Sequence, residues 1–316
     1  MAAPDQLISS TINYFLPEVG DDFYRGSSVL MRFRDHPGGK KVAGGSQIRE
    51  PIIGANPNSD WFTGDETYTA ADNGELSSAV YDWKFIRATP SITKVDLFKN
   101  QGDAAKVSLV KTKMQTASME VTEQFLLALF ALDTAPVANG VLPLEQILNS
   151  GVTYSPGGIA STDIARWAGQ VVSGAGVQLT INMVEKLYFA CAEGSMEPTD
   201  LVWTKNGFAV FAGLLQNQQR FLDRNADAGF TNYMFNKAIC HFDSHLQTTN
   251  DAYTGERMMA INLNATRMYV GEGLDFAAEE KAPSGQSVYT WEIILACAVT
   301  TNMRWANGVL HNFLVA

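Results

Sequence analysis

Residues 46–98 contain two strand-like segments separated by a long polar loop, and this arrangement restricts the fold more than any other feature of the chain. Side chains between residues 79 and 86 alternate between two faces, which is the period of two that a β-strand requires. Ile48, Glu50 and Ile52 share one face of an earlier strand in the same way. A two-stranded ribbon is at best marginally stable alone in water. The ribbon therefore needs a second surface.

The loop between the two strands, residues 54–76, leaves the nature of that second surface open. It is rich in Gly, Asn, Asp, Ser and Thr, yet it carries Trp61, Phe62 and Tyr68. Large aromatic side chains on an exposed ribbon gain stability when another surface covers them. Two arrangements satisfy this requirement equally well. Either the hairpin folds back on its own domain, or it completes itself on a neighbouring subunit.

Residues 100–132 give the clearest helix signal. Asn100 and Asp103 are both suitable caps. Apolar residues then follow at spacings of three and four, which places them on one helix face. About 30 helical residues would span roughly 45 Å, longer than an average globular helix. The pattern predicts a strut across the molecule that ends before Pro136 and Gly140, with this apolar face: Val107, Val110, Met114, Ala117, Val121, Phe125 and Ala128.

The remaining segments mix helices and strands, so the predicted class is α+β. Residues 1–45 are expected to form an extended arm with one short helix at most, because Pro17 and Gly20 interrupt the apolar positions. Residues 257–316 are expected to be mainly strands. In between, the patterns predict helices near 179–190 and 208–221 and strands at 200–204, 233–235 and 238–242.

Composition and charge exclude several classes of protein. The 316 residues are 46% hydrophobic and 18% charged, which is typical of a globular chain. No apolar run reaches the roughly 18 residues that a membrane span requires, and no secretory signal is recognisable. The net charge of −10 disfavours sequence-specific nucleic-acid binding, which usually employs a basic face. Three widely spaced cysteines, expected to be buried thiols, form no metal-binding CxxC pair: Cys191, Cys240 and Cys297.

The sequence contains no recognisable catalytic or cofactor-binding motif. Phosphate-binding loops, dinucleotide fingerprints, nucleophile elbows and HExxH zinc motifs are all missing. We therefore predict no catalytic residue, no cofactor and no metal ligand. The strongest metal candidate would be a strand that presents His241, Asp243 and His245 on one face, although a solvated strand end is the preferred interpretation.

The order of the parts resembles the Hong Kong 97-type coat fold of tailed bacteriophages. Several stretches carry the resemblance along nearly the whole chain. The ribbon resembles that family at residues 45–53, 61–64 and 79–84, and the helix entry at 100–103 does the same. Farther on, the similar stretches are residues 198–204, 228–230, 259–263 and 286–313, including Asn302-Met-Arg304.

The resemblance implies a non-enzymatic major capsid protein that assembles into an icosahedral or prolate head around double-stranded DNA. It implies an N-terminal arm (1–45), an extended β-ribbon loop (46–98), a peripheral domain with a spine helix (99–136), an axial domain (137–265) and return strands of the peripheral domain (266–316). The axial domain would meet its copies in pentamers and hexamers. The ribbon would lie across an adjacent subunit, with Trp61, Tyr68, Tyr81 and Trp83 as hypothetical intersubunit contacts.

The same resemblance gives expectations about partners and location. We expect either a separate scaffolding protein or a scaffolding segment that has already been removed, together with a portal, in some cases a decoration or cement protein, and DNA held without sequence-specific binding. No membrane partner is expected. The subunit would assemble in the host bacterial cytoplasm and end in the virion shell. Lys40 and Lys41 precede the ribbon, but no isopeptide partner is recognisable, so we expect no covalent cross-link.

Two alternatives remain. A shell protein of a bacterial encapsulin-type nanocompartment would have the same fold class and would enclose an enzyme instead of a genome. A metalloenzyme that uses His241, Asp243 and His245 represents a different class.

Overall fold

The computed structural model describes residues 23, 25–37, 39–54, 61–64, 67, 76–99, 103–131, 136–149, 155–164, 166–215, 233–246, 255–281 and 287–315. Its helices are α1 (Ser28–Asp35), α2 (Lys94–Lys99), α3 (Asp103–Leu129), α4 (Leu144–Leu148), α5 (Ile181–Ala190) and α6 (Lys205–Leu214). Its strands are β1 (Lys40–Val42), β2 (Gln47–Ile53), β3 (Leu76–Asp82), β4 (Lys84–Ala88), β5 (Ser91–Thr93), β6 (Gln170–Ser173), β7 (Asp200–Trp203), β8 (Tyr233–Phe235), β9 (Ala238–Phe242), β10 (Glu256–Ile261), β11 (Thr266–Gly271), β12 (Ala277–Lys281), β13 (Val288–Thr301) and β14 (Gly308–Phe313).

The long helix predicted at residues 100–132 is confirmed as α3, which we call the spine helix. Its 27 residues span about 40 Å. Val110, Met114, Val121 and Phe125 are buried along one side, as the apolar spacing requires. In the part of the chain that the structure describes, no helix is long and apolar enough to cross a membrane.

The first sheet is built around β13, and the spine helix packs on one of its faces. Strands β11 and β12 pair with one edge of β13, while β4 and β5 pair with the other. Strand β1 continues the sheet parallel to β11. Alternate β13 residues Trp291, Ile293 and Leu295 are buried in the same core as the spine helix. The long apolar run near residue 288 therefore forms the centre of this sheet.

The second sheet has the order β6-β14-β10-β7-β9-β8 and a separate aromatic core. Trp203 stacks on Phe211 at 4.5 Å between ring centroids, and Phe313 meets Trp203 edge-on. Phe313 belongs to β14, which pairs with β10 and β6. The final strand therefore lies in this second sheet, whereas β11–β13 lie in the first. The domain division predicted from the sequence had assigned all of residues 266–316 to the peripheral domain, together with the spine helix.

Two buried arginines join these layers. Arg257 on β10 donates to Glu145 on α4 at 2.8 Å, and both side chains are buried. Arg304 lies between β13 and β14 and donates to four backbone carbonyl oxygens: those of Gln146, Ile147, Asn149 and Trp167. Buried charges of this kind persist only where such partners satisfy them.

Candidate interface: the ribbon, its base and its outer end

Strands β2 and β3 form a separate two-stranded antiparallel ribbon. Seven residue pairs run from Gln47 opposite Asp82 to Ile53 opposite Leu76. Burial along β2 alternates strictly, so Ile48, Glu50 and Ile52 share the buried face that the sequence pattern predicts.

The buried face of the ribbon packs on its own chain. Ile48 and Ile52, together with Ala79 and Tyr81 of β3, join a small core that also contains Trp167. The other members of that core are Ile159, Ile164, Tyr269 and Ala298. The first of the two open arrangements, a hairpin folded back on its own domain, therefore describes the base of the ribbon.

Polar contacts fix this base in position. The Tyr81 hydroxyl donates to the Thr301 carbonyl oxygen at 2.8 Å, and burial raises the pKa of Tyr81. Glu50 is buried and accepts a hydrogen bond from the Thr300 hydroxyl at 3.1 Å. The Arg267 guanidinium lies 3.9 Å from the same carboxylate, which offsets part of the cost of burying it.

A tight glycine turn completes the base. Gly157 lies in the short 3₁₀ turn Pro156–Gly158 and has a φ of 68°, in the left-handed region that favours glycine. A Cβ at this position would overlap the Cβ of Ala79 and lie 3.0 Å from its Cα. The sequence pattern had predicted no role for Gly157. The Pro-Gly-Gly tripeptide was the available signal, because it marks a turn with positive φ.

The outer end of the ribbon is apolar and uncovered by any residue that the structure describes. Ile53 and Leu76 lie directly opposite each other, and both are exposed. Trp61 is fully exposed at 102% of its reference area, and Phe62 is 74% exposed. These four side chains define what we call the ribbon tip. Exposed apolar side chains at the end of a ribbon and in the loop that follows it are typical of a surface that another protein covers.

The four hypothetical contact residues fall into different environments. Trp61 lies at the ribbon tip, and Tyr68 lies outside the described residues. Tyr81 is buried against its own chain, so its contacts exist before any partner arrives. Trp83 is half-buried between β3 and β4, and its buried indole Nε1 has no hydrogen-bond partner among the described residues. The intersubunit role of all four stays a prediction.

The three candidate metal ligands do not converge. Strand β9 ends at Phe242, so Asp243 and His245 lie beyond the strand that carries His241. His241 is buried, 4.0 Å from Asp200, and burial lowers its pKa. Asp243 instead accepts from the Ser27 hydroxyl. Within the described ranges, no group of three His, Cys, Asp or Glu side chains is placed to hold a metal ion.

His245 links the second sheet to the spine helix. Its Nδ1 lies 3.1 Å from Asp243, and its Nε2 lies 2.9 Å from Glu123 of the spine helix. The hydrogen bond to Asp243, followed by the one to Glu123, raises the pKa of His245 to about 9. The imidazolium form therefore bridges two carboxylates at neutral pH.

This bridge predicts a loss of stability in mild alkali. An unfolded histidine has a pKa near 6.5, so the contribution is fully present below about pH 6.5 and is lost as the pH rises through about 9. Between pH 6.5 and 9 we expect the wild type to lose about 1–2 kcal/mol more than His245→Gln, a range reduced because Glu123 is half exposed. Urea unfolding of the unassembled subunit at both pH values measures the difference. Equal losses in the two proteins would contradict it.

Comparisons with known proteins identify the fold. No protein-family model and no curated protein sequence matches the chain. Solved structures do match. The capsid asymmetric unit of cyanophage A-1(L) is 14% identical, with a TM-score of 0.64 over 86% of this chain and 90% of that one. The capsid of a native GTA particle is 10% identical, with a TM-score of 0.56 over 88% and 89%. The encapsulin complex from Synechococcus elongatus is 9% identical, with a TM-score of 0.54 over 88% and 85%.

These similarities extend over most of both partners in each comparison. The chain has the mixed helix-and-sheet Hong Kong 97-type capsid fold, and the predicted fold is therefore confirmed. Identities of 9–14% establish the fold alone.

Proposed function

We propose that this chain is the major capsid protein of a tailed bacteriophage and assembles into the shell that encloses its double-stranded DNA. The observation that carries the proposal is a capsid fold shared over at least 85% of each compared chain. The ribbon tip supports it, because its apolar side chains have no cover within the described part of the subunit.

The anatomy of the ribbon suits a shell subunit. Its base is held by the Tyr81 hydrogen bond and by the packing of Ile48 and Ile52, whereas its tip extends beyond that core. A ribbon anchored at one end presents its apolar end at a defined position, which reduces the entropy lost on association. Many such contacts in a closed assembly reinforce one another, so individually weak contacts suffice.

The finer organisation forms part of the same proposal. The first sheet and the spine helix would form the peripheral domain, and the second sheet would form the axial domain that meets its copies in pentamers and hexamers. A separate scaffolding protein, a portal and in some cases a decoration protein would complete the head, assembled in the host cytoplasm. The net charge of −10 supports a shell that encloses DNA without binding it tightly.

A structural role without catalysis also belongs to the proposal. The compared proteins of this fold are shell components. Lys41, one of the two lysines before the ribbon, forms an ion pair with Asp275. We therefore keep the prediction that mature particles contain no covalent cross-link. A ladder of covalent oligomers on a denaturing gel would contradict it.

Electron microscopy of the purified recombinant protein tests the function. We expect closed shells or tubes built of pentamers and hexamers, and we expect particles from infected cells to protect double-stranded DNA from nuclease. Monomers at every concentration would overturn the proposal. The encapsulin similarity supports a nanocompartment shell as the second candidate. Particles that consistently contain an enzyme and no protected DNA would favour it.

The ribbon tip gives a prediction specific to assembly. Trp61→Ser combined with Phe62→Ser is expected to raise the protein concentration needed for shell formation by at least tenfold, because buried aromatics dominate interface energies. The melting temperature of the unassembled subunit should stay unchanged, since both side chains are exposed. Phe189→Ser is the matched control, because Phe189 is an exposed aromatic on α5. Normal assembly of the Trp61→Ser, Phe62→Ser variant would show that the ribbon tip is not part of the interface.

A further inference from the structure

Helix α2 carries an exposed face that combines positive charge with apolar side chains. Lys94, Val95, Phe98 and Lys99 are all exposed, and Phe98 retains 72% of its reference area. At 100° per residue these four positions fall within one arc of about 140°. We call this face the basic patch. Lys94 also lies 5.6 Å above the Tyr289 ring, which helps to hold it in place.

The basic patch belongs to one of the two most positively charged stretches of an acidic chain. Residues 84–113 contain seven basic and two acidic residues, although the whole protein has a net charge of −10. One concentration of positive charge therefore includes α2 and the beginning of the spine helix. An isolated lysine would be a solvated surface charge, but a concentration of this kind, interleaved with exposed Phe98 and Val95, is typical of a binding surface.

The exposed face of the spine helix changes sign along its length. Lys113 is exposed in the first half, and Glu120 and Glu123 are exposed in the second half, about 10 and 15 Å farther along the axis. The helix macrodipole favours the opposite arrangement, with acidic residues towards the N-terminus and basic residues towards the C-terminus. The intrinsic preferences of the helix therefore do not account for this charge order.

The second half of that face is also apolar. Met119 is 72% exposed and Leu127 is 40% exposed, and both lie on the same side as Glu120 and Glu123. We call these four residues the acidic strip. Glu123 shares its charge with His245, so Glu120 carries most of the negative charge of the strip. Gln124 donates to Glu120 at 3.0 Å and fixes its position.

We infer that the basic patch of one copy of this chain docks on the acidic strip of a second copy. The two surfaces match in kind, since each places exposed apolar side chains beside charge of one sign, and the signs are opposite. The contact joins two different surfaces, so it is heterologous, and such contacts generate rings or extended arrays. The inference builds on the proposed assembly into a shell, and it concerns a surface separate from the ribbon tip.

Charge reversal tests this contact in the full-length protein. Lys94→Glu with Lys99→Glu, and separately Glu120→Lys, should each raise the concentration required for assembly by about tenfold, because each places like charges together. A chain that carries both reversals should assemble within about threefold of the wild type. Mixing the two reversed proteins should also restore association, since each supplies the surface that the other needs. Lys186→Glu on α5, an exposed lysine outside both surfaces, is the matched control and should assemble normally.

A second pair of variants removes apolar contact without changing charge. Phe98→Ser and Met119→Ser replace side chains of equal fractional exposure, so neither should lower the melting temperature of the unassembled subunit. Each is expected to raise the assembly concentration several-fold. This pair keeps the test decisive if a charge-reversed chain folds poorly.

Three outcomes would overturn the inference. Failure of the combined charge reversal to restore assembly, with native melting temperatures, would do so. Normal assembly of the Lys94→Glu, Lys99→Glu protein would also overturn the inference. If those particles then lost their DNA at a lower temperature than wild-type particles, the basic patch would be a nucleic-acid contact instead. Particles from infected cells that protect no DNA would contradict the proposed function and leave the copy-to-copy contact intact. A wild type that never oligomerises would overturn both.

Discussion

Replacing Arg304 by methionine is expected to destabilise the unassembled subunit by about 3–5 kcal/mol, because several buried carbonyl oxygens lose a charged hydrogen-bond donor at a cost of about 1–3 kcal/mol each. The guanidinium is fully buried and donates to the carbonyl oxygens of Gln146, Ile147, Asn149 and Trp167 at 2.6–3.1 Å. Methionine fills a similar volume but leaves these four acceptors without their donor.

The position of Arg304 explains why the loss should be so large. Three of its acceptors belong to the end of α4 and to the residue after it, and the fourth precedes β6. Helix C-termini leave carbonyl groups unpaired, and their partial negative charge favours a cation. Burial lowers the pKa of Arg304 to about 10, which leaves it protonated at neutral pH. One side chain therefore joins α4, the segment before β6 and the connection between β13 and β14.

Urea unfolding of Arg304→Met and Arg166→Met provides the comparison. Arg166 is exposed, lies 4.7 Å above the Trp305 ring and forms an ion pair with Glu193, so its replacement should lower the free energy of unfolding by less than about 1 kcal/mol. Arg304→Lys should fall between the two, because an ammonium group lacks the planar array of donors that reaches four acceptors. Similar losses for Arg304→Met and Arg166→Met would show that the buried network contributes little.

The regular elements of this fold were predictable because their signals are local. The spine helix has apolar residues every three or four positions, and β2 alternates between Ile48, Glu50 and Ile52 as a half-buried strand does. Helix α6 ends at Leu214, whereas the sequence pattern had placed residues 208–221 in one helix. Residues 216–232 lie outside the described part of the chain.

The contacts that position the ribbon were not predictable, because they join distant parts of the chain. Tyr81 reaches Thr301 and Glu50 reaches Thr300, each more than 200 residues away. Nothing in the sequence around Arg304 indicates that its partners are carbonyl groups near residue 147. Periodicity reveals which face of a strand is buried, but it does not reveal which segment covers that face.

The same limit separates the two halves of the candidate interface. Trp61 and Phe62 were recognisable from sequence as aromatic residues in a polar loop, and the structure leaves both exposed, whereas Tyr81, an aromatic residue of the alternating strand segment, is buried in its own chain. The difference arises at the base of the ribbon, where the core around Trp167 covers one face of β3. The ribbon is therefore fixed to its own chain at its base, and its tip is exposed for contact with a neighbouring subunit. Both properties are necessary if the tip is to reach a neighbour at a reproducible position.

The base of the ribbon should therefore be as sensitive as the tip, and Gly157→Ala is expected to show it. The added Cβ would overlap the Cβ of Ala79 on β3 and would also require alanine to adopt a φ of 68°. We expect a loss of about 2–4 kcal/mol in the unassembled subunit, the sum of a backbone penalty near 1 kcal/mol and an overpacking cost of about 1–3 kcal/mol. Displacement of β3 should also prevent shell formation at concentrations where the wild type assembles.

Gly158→Ala separates the two contributions. Gly158 has a φ of 77°, but a Cβ there would meet no heavy atom within 4 Å, so only the backbone penalty of about 1 kcal/mol should appear and shells should still form. Adding Ala79→Gly to Gly157→Ala removes the overlapping methyl group and should recover part of the stability and most of the assembly. Urea unfolding and the concentration dependence of assembly measure both effects. If Gly157→Ala and Gly158→Ala behave alike, the close approach between this turn and β3 does not hold the ribbon. The tip would then owe its position to the neighbouring subunit instead of to its own chain.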